Sequence, residues 1–227
     1  MKTVLGLVLK DYLTLKQYLW RQIGLLVAIY VILGFVLHSM SMLPSMLTLG
    51  VMMLLLSTFS LDEQCHWNAY AISLGLSPRT LVRARYLFCY GLLIATALLS
   101  TVVSYGMEAF VIVRLTGESA DDLMLAGLAG SGAILVVYLL VSAVNFPLFY
   151  KLGMEKARLA MSLSFVLPFI VIFPTISYWG PLVASLEQTP PPSWAALALL
   201  AALAALVAAA ALVSMRVSTR ILEKKEF

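Results

Sequence analysis

Long apolar runs separated by short basic segments constrain this chain more than any other feature. A helix needs about 20 mainly apolar residues to cross a bilayer, and a helix satisfies its own backbone N–H and C=O groups where no water is present. Six stretches qualify, roughly Gln22–Met42, Pro44–Leu61, Tyr86–Val113, Leu123–Val144, Met161–Tyr178 and Trp194–Met215. With 62% of the 227 residues hydrophobic and 11% charged, the chain lies outside the range of soluble globular domains. The expected fold class is all-α: a polytopic membrane protein with six transmembrane helices, forming a single domain over residues 1–227.

Ahead of the first span, Thr3, Gly6, Lys10, Thr14, Gln17 and Arg21 recur at spacings of three and four, with Val4, Val8, Leu15 and Leu19 elsewhere on the wheel. That pattern predicts an interfacial amphipathic helix over Met1–Arg21. The charges at Lys2, Lys10, Asp11, Lys16 and Arg21 interrupt the first apolar residues, so a cleaved signal peptide is not expected. Leu43-Pro44 leaves room only for a tight turn between the first two spans, and Pro168 and Pro174 predict a bend in the fifth.

Lysine and arginine set the orientation. With six spans and both termini inside, the inner side holds fourteen basic residues, and Arg114 alone lies outside. The inner fourteen fall in the N-terminal segment, at Arg79, Arg83 and Arg85, at Lys151, Lys156 and Arg158, and in the C-terminal tail. Although the net charge is +4, these residues are spread among short connectors and give no nucleic-acid footprint. Cys65 and Cys89 fall on different predicted levels and imply neither a disulfide nor a metal site.

The strongly polar interval Ser60–Tyr86 lies between two apolar runs. Ser60 and Glu63 have capping-box spacing, Gly75 supplies a stop, and Ser77-Pro78 supplies a restart. The expectation is a short lateral helix, a kink, and a second helix entering the membrane with Arg79, Arg83 and Arg85 at its base. On the short helix Glu63, Trp67, Tyr70 and Leu74 would share one face. Two readings fit that face: interfacial aromatics beside ordinary basic anchors, or a docking helix offered to a soluble partner. In the second inner segment, Asn145–Ala160, the spacing of Lys151, Glu155 and Arg158 predicts a small charge-laced helix that would serve as a solvated connector or a second docking site.

The chemistry that is absent narrows the function. The chain has no G-x-x-x-x-G-K-[ST] phosphate loop, no H-E-x-x-H and no G-x-S-x-G, so it is not expected to hydrolyse ATP, bind a catalytic metal or act as a serine hydrolase. The spans carry almost no ionisable residues, and Glu108 and His38 lie near outer ends, which disfavours a proton-coupled pump.

The stretch from Phe59 through Asp62-Glu63, Trp67, Tyr70, Ser73-Leu74 and Ser77 to Tyr86, with Pro147–Arg158, resembles the small six-span permeases of type II ATP-binding-cassette exporters. The amphipathic start and the tail Glu223-Lys224-Lys225-Glu226-Phe227 are similar to that family too, so the resemblance covers the whole chain. Gly75-Leu76 stands where the family often has proline-valine, and Pro78 follows the serine.

The resemblance implies a half-transporter: two permease chains, most simply a homodimer, seated on two copies of a separately encoded ATPase that binds ATP and magnesium, with no cofactor in this chain. Met1–Arg21 would be the elbow helix, and residues 60–85 the cytoplasmic coupling loop, with the coupling helix between Asp62 and Leu74. Asp62, Glu63, Trp67 and Tyr70 match the motif as contacts to the ATPase, and Lys151, Glu155, Lys156 and Arg158, in the second cytoplasmic loop at 145–160, would form a second contact. Relatives of this kind sit in the bacterial cytoplasmic membrane with both termini inside, and export peptides or small amphipathic solutes. A membrane immunity or assembly factor that binds a peptide without ATP is the alternative from a different class, to be separated from a permease by whether an ATPase subunit accompanies the chain.

Overall fold

The computed structural model describes residues 2–37, 43–107, 120–153, 156–157 and 193–225. Its secondary structure there is helical: α1 (Lys2–Leu37), α2 (Leu43–Gln64), α3 (Trp67–Ser73), α4 (Pro78–Met107), α5 (Ala120–Leu152) and α6 (Ser193–Lys224). Among the described residues, four helical stretches are long and apolar enough to cross a membrane: Met46–Gln64, Pro78–Met107, Leu135–Leu152 and Ala201–Lys224. These match the second, third, fourth and sixth expected spans, displaced by up to a dozen residues. The fifth, Met161–Tyr178, lies outside the described residues, as do Pro168 and Pro174. The chain divides into two compact units, Met1–Leu139 and Leu140–Lys225.

In the first unit α1, α2 and α4 pack against one another in every pairing. α2 is the central member. Pro44 sits in its first turn, where the missing N–H loses no helical bond, and Leu47, Val51, Met52, Leu54, Leu55, Leu56 and Phe59 are all buried. On α4 the buried residues Val82, Arg85, Cys89, Leu93, Thr96, Ser100 and Ser104 recur at spacings of three and four, one stripe facing the other two helices. Two of their hydroxyl groups bond inside the helix: Thr96 donates to the Leu92 carbonyl at 2.7 Å and Ser100 to that of Ala97 at 3.0 Å. Tyr90 Oη donates to the Leu139 carbonyl at 3.0 Å, tying α4 to the first part of α5.

The N-terminal segment departs from the expected elbow. α1 runs without a break from Lys2 to Leu37, so no boundary falls between Arg21 and Gln22. Asp11, Leu15 and Leu19, four residues apart, are buried. Further along, a β-carbon added to Gly50 of α2 would meet Leu26 Cδ1 at 2.3 Å, with Gln22 Nε2 at 3.8 Å, so glycine there is what lets the two helices approach. The stripe Asp11, Leu15, Leu19, Gln22, Leu26 therefore continues across the expected junction. Lys16 and Arg21 lie off it and are exposed.

In the second unit the C-terminal part of α5 buries Val141, Ser142, Ala143, Asn145, Phe146, Phe149 and Tyr150. The segment expected to be a connector from Asn145 thus begins as the last turns of a long helix, and it stops at Gly153, whose φ of 75° is the left-handed conformation glycine accepts. α6 buries Val207, Ser214, Ser218 and Leu222 on one stripe. Ser214 Oγ donates to the Ala143 carbonyl, joining α6 to α5.

Candidate functional site

The polar interval folds differently from its capping pattern. α2 continues through Ser60 and Glu63 to Gln64, so Asp62 and Glu63 end a long helix and do not start a short one. The break comes at Cys65-His66. His66 holds φ 50° and ψ 33°, a left-handed conformation that costs a residue with a β-carbon about 1 kcal/mol. α3 then makes two turns and ends at Gly75, with φ 82°. Of the expected loop over 60–85, only Cys65–Ser77 lies between α2 and α4. The restart is as the sequence implies: Ser77 Oγ accepts the Thr80 backbone N–H at 3.3 Å and lies 2.7 Å from Thr80 Oγ1 at the head of α4.

Because the helix axis changes at His66, Glu63 does not share the face of α3. Ala71 is fully buried and seats α3 on α2. Tyr70 and Leu74 are 56% and 62% exposed. Trp67 is half-buried, its ring 5.9 Å from that of Tyr70 at a tilt of 48°, and the Lys10 ammonium sits 4.3 Å above it. A cation over indole contributes about 0.5 to 2 kcal/mol, depending on how dry the contact is.

Lys10 is one corner of a ring of four charges drawn from three helices. Its Nζ is 3.0 Å from Asp11 Oδ1 and 2.8 Å from Asp62 Oδ1. Arg85 closes the ring, with Nη1 3.4 Å from Asp11 Oδ2 and Nη2 paired with Asp62 Oδ2. Each carboxylate thus bridges both cations through different oxygens, and signs alternate around the circuit. Arg85 Nη1 also donates to Thr58 Oγ1 at 2.6 Å, and Thr58 passes its own proton to the Leu55 carbonyl at 2.6 Å. The Phe59 ring lies 4.9 Å from the guanidinium carbon.

Two cations and two anions sum to zero, so the charge pairing offsets the cost of burying Asp11 at 5% and Arg85 at 6% exposure. Burial pulls the Lys10 amine below its ordinary value against the opposing pull of Asp11, and the neighbouring Arg85 charge adds to the lowering. The ring belongs to one end of the bundle. Arg85 is seven residues into α4, and Tyr86–Met107 beyond it carries no charge and is, at 1.5 Å per residue, long enough to cross a core of about 30 Å.

Among the residues marked from sequence, Asp62 turns inward into this ring, Trp67 faces Lys10, and Glu63 and Tyr70 face outward. Lys151 and Lys156 are exposed in the other unit; Glu155 and Arg158 lie outside the described residues. The sequence pattern does not single out Asp11, although its spacing with Leu15 and Leu19 on an apolar stripe is the signal that a carboxylate is being buried.

Helices of this length and hydropathy, with a polar interval folded at one end, define a multi-pass α-helical membrane protein. A family model described as ABC-2 family transporter protein matches residues 6–223. The chain belongs to that family, and it is the permease subunit of an ABC transporter, whose ATPase is a separate subunit. No curated protein and no solved structure matches it.

Proposed function

We propose that this permease exports a peptide or small amphipathic substrate from the bacterial cytoplasm, as one of two identical chains seated on two ATPase subunits that bind ATP and magnesium. Six spans with both termini inside place the ring and α3 at the cytoplasmic end. The inner half of α1 occupies the place expected for an elbow. In this reading α3 is the coupling helix and enters a groove on the ATPase. Lys151, Glu155, Lys156 and Arg158 form a second, smaller contact. Membership of a transporter family favours transport over a factor that only sequesters a peptide.

The observation that carries this reading is α3 itself: two helical turns between two left-handed residues, with Tyr70 and Leu74 turned to solvent. Buried aromatic anchors at interfaces are worth about 2 kcal/mol or more, about thirtyfold in affinity. Tyr70→Ala is therefore expected to leave the amount of permease in the membrane unchanged while the co-purifying ATPase falls by about that factor. Undiminished retention of the ATPase in Tyr70→Ala, and again in Leu74→Ala, would sink the assignment of α3.

A further inference from the structure

A displacement of α3 does work only if it reaches the helices that cross the membrane. Backbone joins α3 to α2 through His66 and to α4 through Gly75, both in the left-handed region and both with their N–H bonded three residues back, to the Glu63 and Ile72 carbonyls, where a helix would bond four back. The contact of α3 with α1 runs through Trp67, whose ring carries Lys10, and Lys10 is a part-buried corner of the ring. We infer that the ring Lys10, Asp62, Arg85, Asp11 is the linkage that carries a displacement of α3 to α1 and α4, with Lys10 and Arg85 as positioning residues of the transport cycle. The inference rests on reading α3 as the element that docks on the ATPase.

Three features suit the ring to this task. Each carboxylate bridges both cations, so none of the three helices can slide without lengthening at least two ion pairs at once. Asp11 and Arg85 are buried while Lys10 and Asp62 are part-buried, so water and salt screen these contacts less than they do surface pairs. Apolar packing elsewhere between α1, α2 and α4 is non-directional, and leucine and valine side chains would let the helices shift by a rotamer change where charges fixed on distinct oxygens would not. The ring also joins the two helices that flank α3 in sequence: Asp62 precedes it by five residues, and Arg85 follows its last residue by twelve.

The test uses the permease with its ATPase in proteoliposomes. Cys65→Ser with Tyr105→Cys leaves one accessible thiol on α4, since Cys89 is buried, and a nitroxide spin label at position 105 reports the local motion of α4. Spectra are taken without nucleotide and with ATP, magnesium and vanadate. With the ring intact, nucleotide is expected to change the label's mobility. Arg85→Met combined with Asp62→Asn removes one charge of each sign, so the site stays neutral. There the response is expected to be lost, while ATPase retention and activity persist. Arg85→Lys, which keeps the charge, is expected to restore it.

A second neutral pair, Lys10→Met with Asp11→Asn, removes the other half of the ring and stands in if the first does not fold. A wild-type response in either neutral variant overturns the inference, because charge balance alone would then suffice. No nucleotide response with the ring intact overturns it as well, as does loss of the ATPase from the ring variants, which would make the ring part of docking. Failure of the docking assignment is seen separately, as full partner retention in Tyr70→Ala.

Discussion

At the scale of single residues, Arg85 is where sequence and structure differ most in meaning. Its place at the base of a span makes it look like one more inner anchor beside Arg79 and Arg83, yet those two are at least partly solvated and Arg85 is buried on the stripe of Val82 and Cys89. Asp62 carries a motif that reads as an outward contact, and the fold spends it inside. What the residue pattern could not convey is partnership across 52 and 74 positions, the separations of Lys10 and Asp11 from Asp62 and Arg85. Truncating one member of a buried pair costs about 3 to 5 kcal/mol, because the remaining charges stay behind unbalanced. Arg85→Met should therefore lower the detergent melting temperature of the purified permease markedly, and adding Asp62→Asn should recover most of that loss. A double variant no more stable than the single one would show that the ring's charges do not compensate one another. Trp67 also changes role: its ring serves Lys10, so Trp67→Ala disturbs the interior as well as any docking surface, and Tyr70→Ala is the cleaner probe.

Element boundaries were legible where the chain carries chemical punctuation. Gly75 stops α3, and Ser77 with Pro78 starts α4, as their residue types require. Two other boundaries misled for a shared reason: a local pattern that suits a terminus is also tolerated in mid-helix. Ser60 and Glu63 have the spacing of a capping box, but the apolar run of α2 does not end there, and the break falls instead at His66, a residue type with no strong preference for it. In α1 the polar periodicity that ends at Arg21 suggests a change of element, whereas the stripe from Asp11 through Leu15 and Leu19 to Gln22 and Leu26 passes that point uninterrupted. The caps yield a test. Ser77→Ala removes a side-chain acceptor worth about 1 kcal/mol, and Gly75→Ala forces a β-carbon into the left-handed region at a similar cost. Each should speed hydrogen exchange at amides 67–80 while leaving amides in α2 protected. Uniform acceleration over all helices would show that the bend has no stability of its own.

For the molecule as a whole, the composition made the fold class and membrane location plain, and the inner motifs pointed to the family that the full-length match then established. Orientation follows from basic residues: a reporter after Phe227 or near Gln64 is expected to read cytoplasmic, and one near Ser119 external, with an external C-terminus refuting the six-span arrangement. Purified alone, the chain is expected to show no ATP hydrolysis above background, since it lacks a phosphate loop. The neutral ring also has a consequence for biogenesis. Ribosomes deliver α1 and α2 first, and with them one cation and two anions that lack their counterweight until Arg85 emerges on α4. A nascent chain halted after Gln64 should be short-lived and readily extracted or degraded, whereas one extended through Met107 should persist, because the arrival of a single guanidinium completes the charge balance of the three ring members made before it. Equal lifetimes for the two truncated chains in a pulse-chase experiment would mean that the first hairpin matures without waiting for its third helix.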